Sequence, residues 1–79
     1  VPHVIVKLWP GQSEANKRKL TDEIVESTTR LLGYDPASVS VGFEEIDAAD
    51  WMPQVYENDI AQRWDSLTKP PGYGPGPRP

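Results

Sequence analysis

Seventy-nine residues, 37% of them hydrophobic, with no cysteine and a formal net charge of -4, describe one small domain without disulfides or a thiolate metal cluster. A chain this short buries only about 60–65% of the surface its unfolded form exposes, so self-association is expected to complete the core. No apolar run approaches the roughly 20 residues of a membrane span, no basic region leads into an apolar stretch as in a signal peptide, and no basic cluster is present to hold phosphates; a cytoplasmic protein without a nucleic-acid or membrane partner is expected.

The pattern Val4–Trp9 alternates. Val4, Val6 and Leu8 point one way, and His3, Ile5, Lys7 and Trp9 the other. So few of these are polar that the segment reads as an interior strand with both faces covered. Pro10-Gly11 ends it as a turn. Ser13 is a good N-cap, and Glu14 places a carboxylate in the first turn of a helix, where the dipole favours it. Leu20, Ile24, Ser27, Thr28, Leu31 and Leu32 recur at helical spacing until Gly33 and Pro36 stop the helix, which is expected over Ser13–Leu32. Val39–Ile46 reads as a second strand, with Val39, Val41 and Phe43 on one face and Ser40, Gly42 and Glu44 on the other. Strand, long helix, strand is a β-α-β unit, whose strands should be parallel with a right-handed crossover.

Asp50 is expected to cap a second helix, with Pro53 tolerated in its first turn. Tyr56, Ile60, Trp64 and Leu67 would form its apolar stripe. Residues 1–68 make the domain. The tail 69–79, with five prolines and three glycines in eleven residues, fits neither helix nor central strand and is expected as an extended arm or a disordered end.

Several chemistries lack their residues. His3 is the only histidine, and no G-x-S-x-G elbow accompanies it. There is no phosphate-binding glycine loop, no pair of metal ligands at i, i+4, and Gly72, Gly74 and Gly76 do not follow a strand. Asp22-Glu23 and Glu44-Glu45 read as solvated faces. Trp9 and Trp64 read as core, whereas Trp51 and Phe43 fit either core or a pocket wall. Pro2 remains. A proline starts a strand readily because it has no N–H to give. At a chain terminus, however, its nitrogen is a secondary amine, and an apolar surround favours the neutral, basic form.

Pro2, the alternating strand, the Pro10-Gly11 turn, the helix from Ser13, the segment Ser38-Val39-Ser40-Val41 and the aromatic at the strand–helix junction together resemble the 4-oxalocrotonate tautomerase family. These are short β-α-β chains that use an amino-terminal proline as catalytic base. The pattern is more similar still to the dimeric PptA-like tautomerase subgroup. There the first strand begins Pro-His, the second carries Ser-x-Ser, a tryptophan opens a carboxy-terminal helix and a Lys-Pro-Gly-Tyr-like tail follows. Here these are Pro2-His3, Ser38-Val39-Ser40, Trp51 and Lys69-Pro70-Pro71-Gly72-Tyr73.

The resemblance implies an α/β (α+β) protomer of the tautomerase/MIF-like kind with a carboxy-terminal helix, and a homodimer whose two sheets join as four strands. It implies a keto-enol tautomerase, an isomerase without cofactor or metal, with Pro2 as general base. The two arginines that hold a dicarboxylate in founding members fall on Gln12 and Ser40. These can hydrogen-bond a carboxylate or enol oxygen but cannot form a bidentate ion pair. A monocarboxylate 2-keto acid with an aryl or apolar group suits Trp51 and Phe43 better. Val1 precedes Pro2, and while it is retained the Pro2 nitrogen is an amide. A same-fold hydratase, dehalogenase or decarboxylase, and a catalytically inactive dimeric interaction protein, are the alternative readings.

Overall fold

The computed structural model describes residues 1–79, which divide into two compact units, Val1–Glu45 and Ile46–Pro79. The first unit is the β-α-β element. Strand β1 (His3–Leu8) pairs in parallel with β2 (Ser40–Glu45), and the register sets His3 against Ser40, Ile5 against Gly42 and Lys7 against Glu44. Strand β1 is shifted one residue toward the amino terminus of its apolar pattern, and β2 loses one residue of its pattern at each end. Trp9, expected in the core, lies beyond β1 and is 58% exposed.

Helix α1 (Glu14–Leu32) begins where its cap chemistry dictates. Ser13 is extended, and its Oγ accepts the Asn16 N–H at 3.1 Å. It ends at Gly33, whose φ of 78° lies in the left-handed region and whose N–H donates to the Thr29 carbonyl at 3.0 Å. A short 3-10 turn, Pro36–Ser38, capped by the Asp35 carboxylate on the Ala37 N–H at 3.0 Å, feeds β2.

Helix α1 lies over one face of the sheet. Leu8 and Phe43 from the strands share a recess with Lys17 and Leu20 from the helix. Lys17 spans the two layers: its Nζ sits 3.1 Å from the Glu45 carboxylate and 3.4 Å from that of Glu14. The hydrogen bond to Glu45 is the main reason its pKa is raised above the ordinary lysine value; burial opposes this, and Glu14 adds to it.

The opposite face carries His3, Ile5, Lys7, Ser40, Gly42 and Glu44. It is not covered within this unit as an interior strand would require, and Ile5 is 47% exposed. None of residues 1–45 is fully buried. The physical reason is size: a two-stranded sheet with one helix has too little surface to enclose a core.

The second unit differs from its expected form. Its helix starts three residues earlier, with the single α-turn α2 (Ala48–Asp50) after Asp47, and Asp50 makes no side-chain capping bond. From Trp51 to Ala61 the chain winds as a π-helix, closed by Gln62 N–H to the Glu57 carbonyl at 3.2 Å. With i→i+5 bonding, residues five apart stack, so Tyr56 and Ala61 are buried together with Val55. Ile60, Trp64 and Leu67 of the anticipated stripe are only half-buried, because a 4-4-3 spacing lines up only on an α-helix.

The arm folds back on this helix. The Gly76 N–H donates to the Tyr56 hydroxyl at 2.8 Å, and the Arg78 N–H donates to the Ala61 carbonyl at 3.2 Å. The Arg78 guanidinium pairs with the Glu57 carboxylate. The Tyr73 ring stands 5.5 Å from that of Tyr56. Gly74, at φ 85°, passes so close to the Tyr56 ring that a Cβ would run into it.

Candidate active site

The register places the start of β1 beside the start of β2. Pro2, half-buried, precedes the first paired residue, and the Ser40 N–H donates to its carbonyl at 3.1 Å. One residue on, His3 Nδ1 lies 2.6 Å from Ser40 Oγ. The Pro2-His3 dipeptide is thus held twice to the same serine, once through the backbone and once through side chains. Pro2 and Ser40 are therefore brought together. His3, noted in the sequence as the lone histidine and as part of the Pro2-His3 strand start, joins them. Its signal is the register alone: residues at the first position of each parallel strand meet only when the pairing is known.

Gln12 and Phe43 form a second group. They line a recess of about 240 Å³ with Leu8, Asn16, Lys17 and Leu20, on the α1 side of the sheet. Phe43 and Ser40 are three apart on β2, so their side chains leave opposite faces. Gln12 follows the far end of β1, and Pro2 to Leu8 spans about 20 Å of extended chain. Within one protomer Gln12 and Pro2 do not meet. Lys17 lines the same recess as Gln12, and its two carboxylate partners already offset its charge.

Trp51 belongs to the second unit, where its Nε1–H donates to the Tyr73 hydroxyl at 2.8 Å. The indole is fixed by the arm, a partnership that no local pattern in the sequence exposes, since 22 residues separate the two.

At the Pro2 end the chemistry available is a strand-start nitrogen, a serine hydroxyl and an imidazole. It suits proton transfer and hydrogen bonding to a single oxygen rather than clamping of a dianion.

Comparison with known proteins places the chain in a family. The family model described as tautomerase enzyme matches residues 2–56, opening at Pro2. A probable tautomerase of Xylella fastidiosa is 42% identical over 74 residues, covering 94% of this chain and 90% of its own. The tautomerase PptA of Cronobacter sakazakii is 34% identical over 74 residues, covering 92% of this chain and 97% of its own. Among solved structures, YwhB, a homologue of 4-oxalocrotonate tautomerase, superposes with a TM-score of 0.57 at 28% identity over 58% of this chain and 75% of its own. DmpI from Helicobacter pylori gives 0.56 at 26% identity over 60% of this chain and 79% of its own. The chain belongs to the tautomerase family, a family of isomerases.

Proposed function

We propose that the chain is a cofactor-independent keto-enol tautomerase of small monocarboxylate 2-keto acids bearing an aryl or apolar group, with the free amine of Pro2 as general base. The observation that carries the reading is the pairing of Pro2 with Ser40 at the head of the sheet. The neutral amine takes a proton from the carbon next to the keto group, or from the enol hydroxyl in the reverse sense. It returns that proton at the other end of the three-atom system, so the amine is regenerated each turn. Ser40 hydrogen-bonds the carboxylate or the oxygen on which charge develops. The family match opening at Pro2 supports a chemical role for that residue.

Two features favour a monocarboxylate. The Pro2 end presents a hydroxyl and an imidazole, and Gln12 presents a neutral amide; none of these is the fixed fork that grips a second carboxylate. Phe43 supplies an apolar surface beside Gln12. Because Gln12 lies at the opposite end of β1 from Pro2, it serves the Pro2 site of a second copy. A homodimer that joins two sheets edge to edge into four strands provides such a copy.

Relative kcat/KM for the enol of phenylpyruvate and for a dicarboxylate dienol tests the substrate class. The aryl monocarboxylate is expected to turn over faster; the reverse order would overturn this assignment. Mass spectrometry of the active protein is expected to find Pro2 at its amino terminus. Full activity with Val1 in place would refute the amine as base.

A further inference from the structure

We propose that His3 is a positioning residue: its Nδ1–H turns the proton of the Ser40 hydroxyl outward, making Ser40 a donor to the carboxylate or enolate oxygen of the substrate. This rests on the reading that Ser40 meets the substrate. The 2.6 Å pair has only two proton arrangements. With Nδ1 bare, the single hydroxyl proton is drawn into the pair and Oγ shows only lone pairs to a ligand. With Nδ1 protonated, the imidazole donates, Oγ accepts, and the hydroxyl proton is released outward. An anionic oxygen is repelled by the first arrangement and bound by the second. The two bonds of the second chain also polarise one another.

Anion binding therefore selects a protonated Nδ1. The neutral Nδ1–H tautomer meets this need, and the imidazolium meets it with added charge. By linkage the bound anion holds the proton on the ring as firmly as the ring favours the anion. On the same face the charged groups are Lys7 and Glu44, which pair with each other at 4.0 Å and lie about 13 Å along the strand from His3. Helix α1 lies on the other face and directs its charged Lys17 to Glu45 and Glu14.

A purely structural latch would give the same geometry, so the test reads protonation and binding together. His3 is the only histidine, and its ring ¹⁵N resonances report Nδ1 directly. The probe is benzoylformate, an aryl 2-keto acid with no proton to lose from a neighbouring carbon, added to the full chain with Val1 removed. Benzoylformate is expected to hold the Nδ1–H pattern to higher pH and to bind about three- to tenfold tighter below the imidazole titration than above it.

The Pro2 amine also titrates and also attracts an anion, but it is common to all variants. In Ser40→Ala the effect of ligand on the imidazole is expected to vanish. In His3→Asn, whose amide N–H still donates to Oγ, the excess pH dependence of KM over that of kcat is expected to vanish while Ser40 still binds. An Nδ1 that stays bare with saturating benzoylformate would overturn the relay, as would an unchanged response in Ser40→Ala. Those results leave proline-dependent turnover intact. Absence of that turnover, by contrast, overturns the reading beneath and the relay with it.

Discussion

A single bond decides the chemistry of Pro2. With Val1 attached, the nitrogen is a tertiary amide and its role is to start β1 without wasting an N–H; released, it is a secondary amine able to take a proton. Activity of the released form is expected to rise with pH as the amine loses its proton and then to level off. Pro2→Ala leaves a primary amine on a looser backbone, so kcat is expected to fall about 10- to 100-fold without vanishing, as stopped-flow absorbance of enol decay would show. Gln12 permits a second test: Gln12→Arg restores a bidentate carboxylate donor, and dicarboxylate turnover relative to monocarboxylate is expected to rise about tenfold. An unchanged ratio would place Gln12 outside the pocket. At this scale the sequence exposed Pro2, Ser40 and Gln12 as candidates. It did not expose the bond between His3 and Ser40, because 37 residues separate them and only the strand register joins them.

Elements set by local chemistry were legible, and those set by distant partners were not. The α1 boundaries follow from Ser13, Gly33 and Pro36, each acting within one turn. Ser13→Ala removes the acceptor for the Asn16 N–H and is expected to cost about 1 kcal/mol, read as a lower urea midpoint. Lys17 couples α1 to β2 through Glu45. Its raised pKa means the contribution is fully present below the ordinary lysine pKa and is lost as pH rises through the higher folded value. Comparing the wild type with Lys17→Met, the stability gap is accordingly expected to hold through neutral and mildly alkaline pH and to close only in strong alkali. The π-helix was not legible, because the 4-4-3 spacing of Tyr56, Ile60, Trp64 and Leu67 fits an α-helix. What buries Tyr56 and engages the Ala61 carbonyl lies in the arm, at Gly76 and Arg78. Gly74→Ala forces a methyl against the Tyr56 ring at a positive φ. The expected loss is about 1–3 kcal/mol, measured as a lowered Tm together with faster proteolysis of the arm.

Seen as one molecule, the chain encloses little. Val55, Tyr56 and Ala61 are its buried hydrophobic residues. The two-stranded sheet leaves one open edge on each strand, and Ile5 and Trp9, in and just beyond β1, are 47% and 58% exposed. Low hydrophobic content in an uncrosslinked chain of this length leads to the expectation of self-association, and the open strand edges are where a second copy is proposed to join. Sedimentation equilibrium at micromolar concentration is expected to return about twice the chain mass. A folded monomer would contradict the dimer, and would leave Gln12 too far from any Pro2 to act there.

The most direct measurement compares two proteins that differ by one residue: the chain beginning at Pro2 and the same chain retaining Val1, each assayed for ketonisation of the enol of phenylpyruvate. Both are expected to show the same circular dichroism and sedimentation, because Val1 is 95% exposed and contributes no packing. Only the chain with the free proline is expected to accelerate the reaction. Equal rates from the two forms would show that the Pro2 nitrogen is not the base.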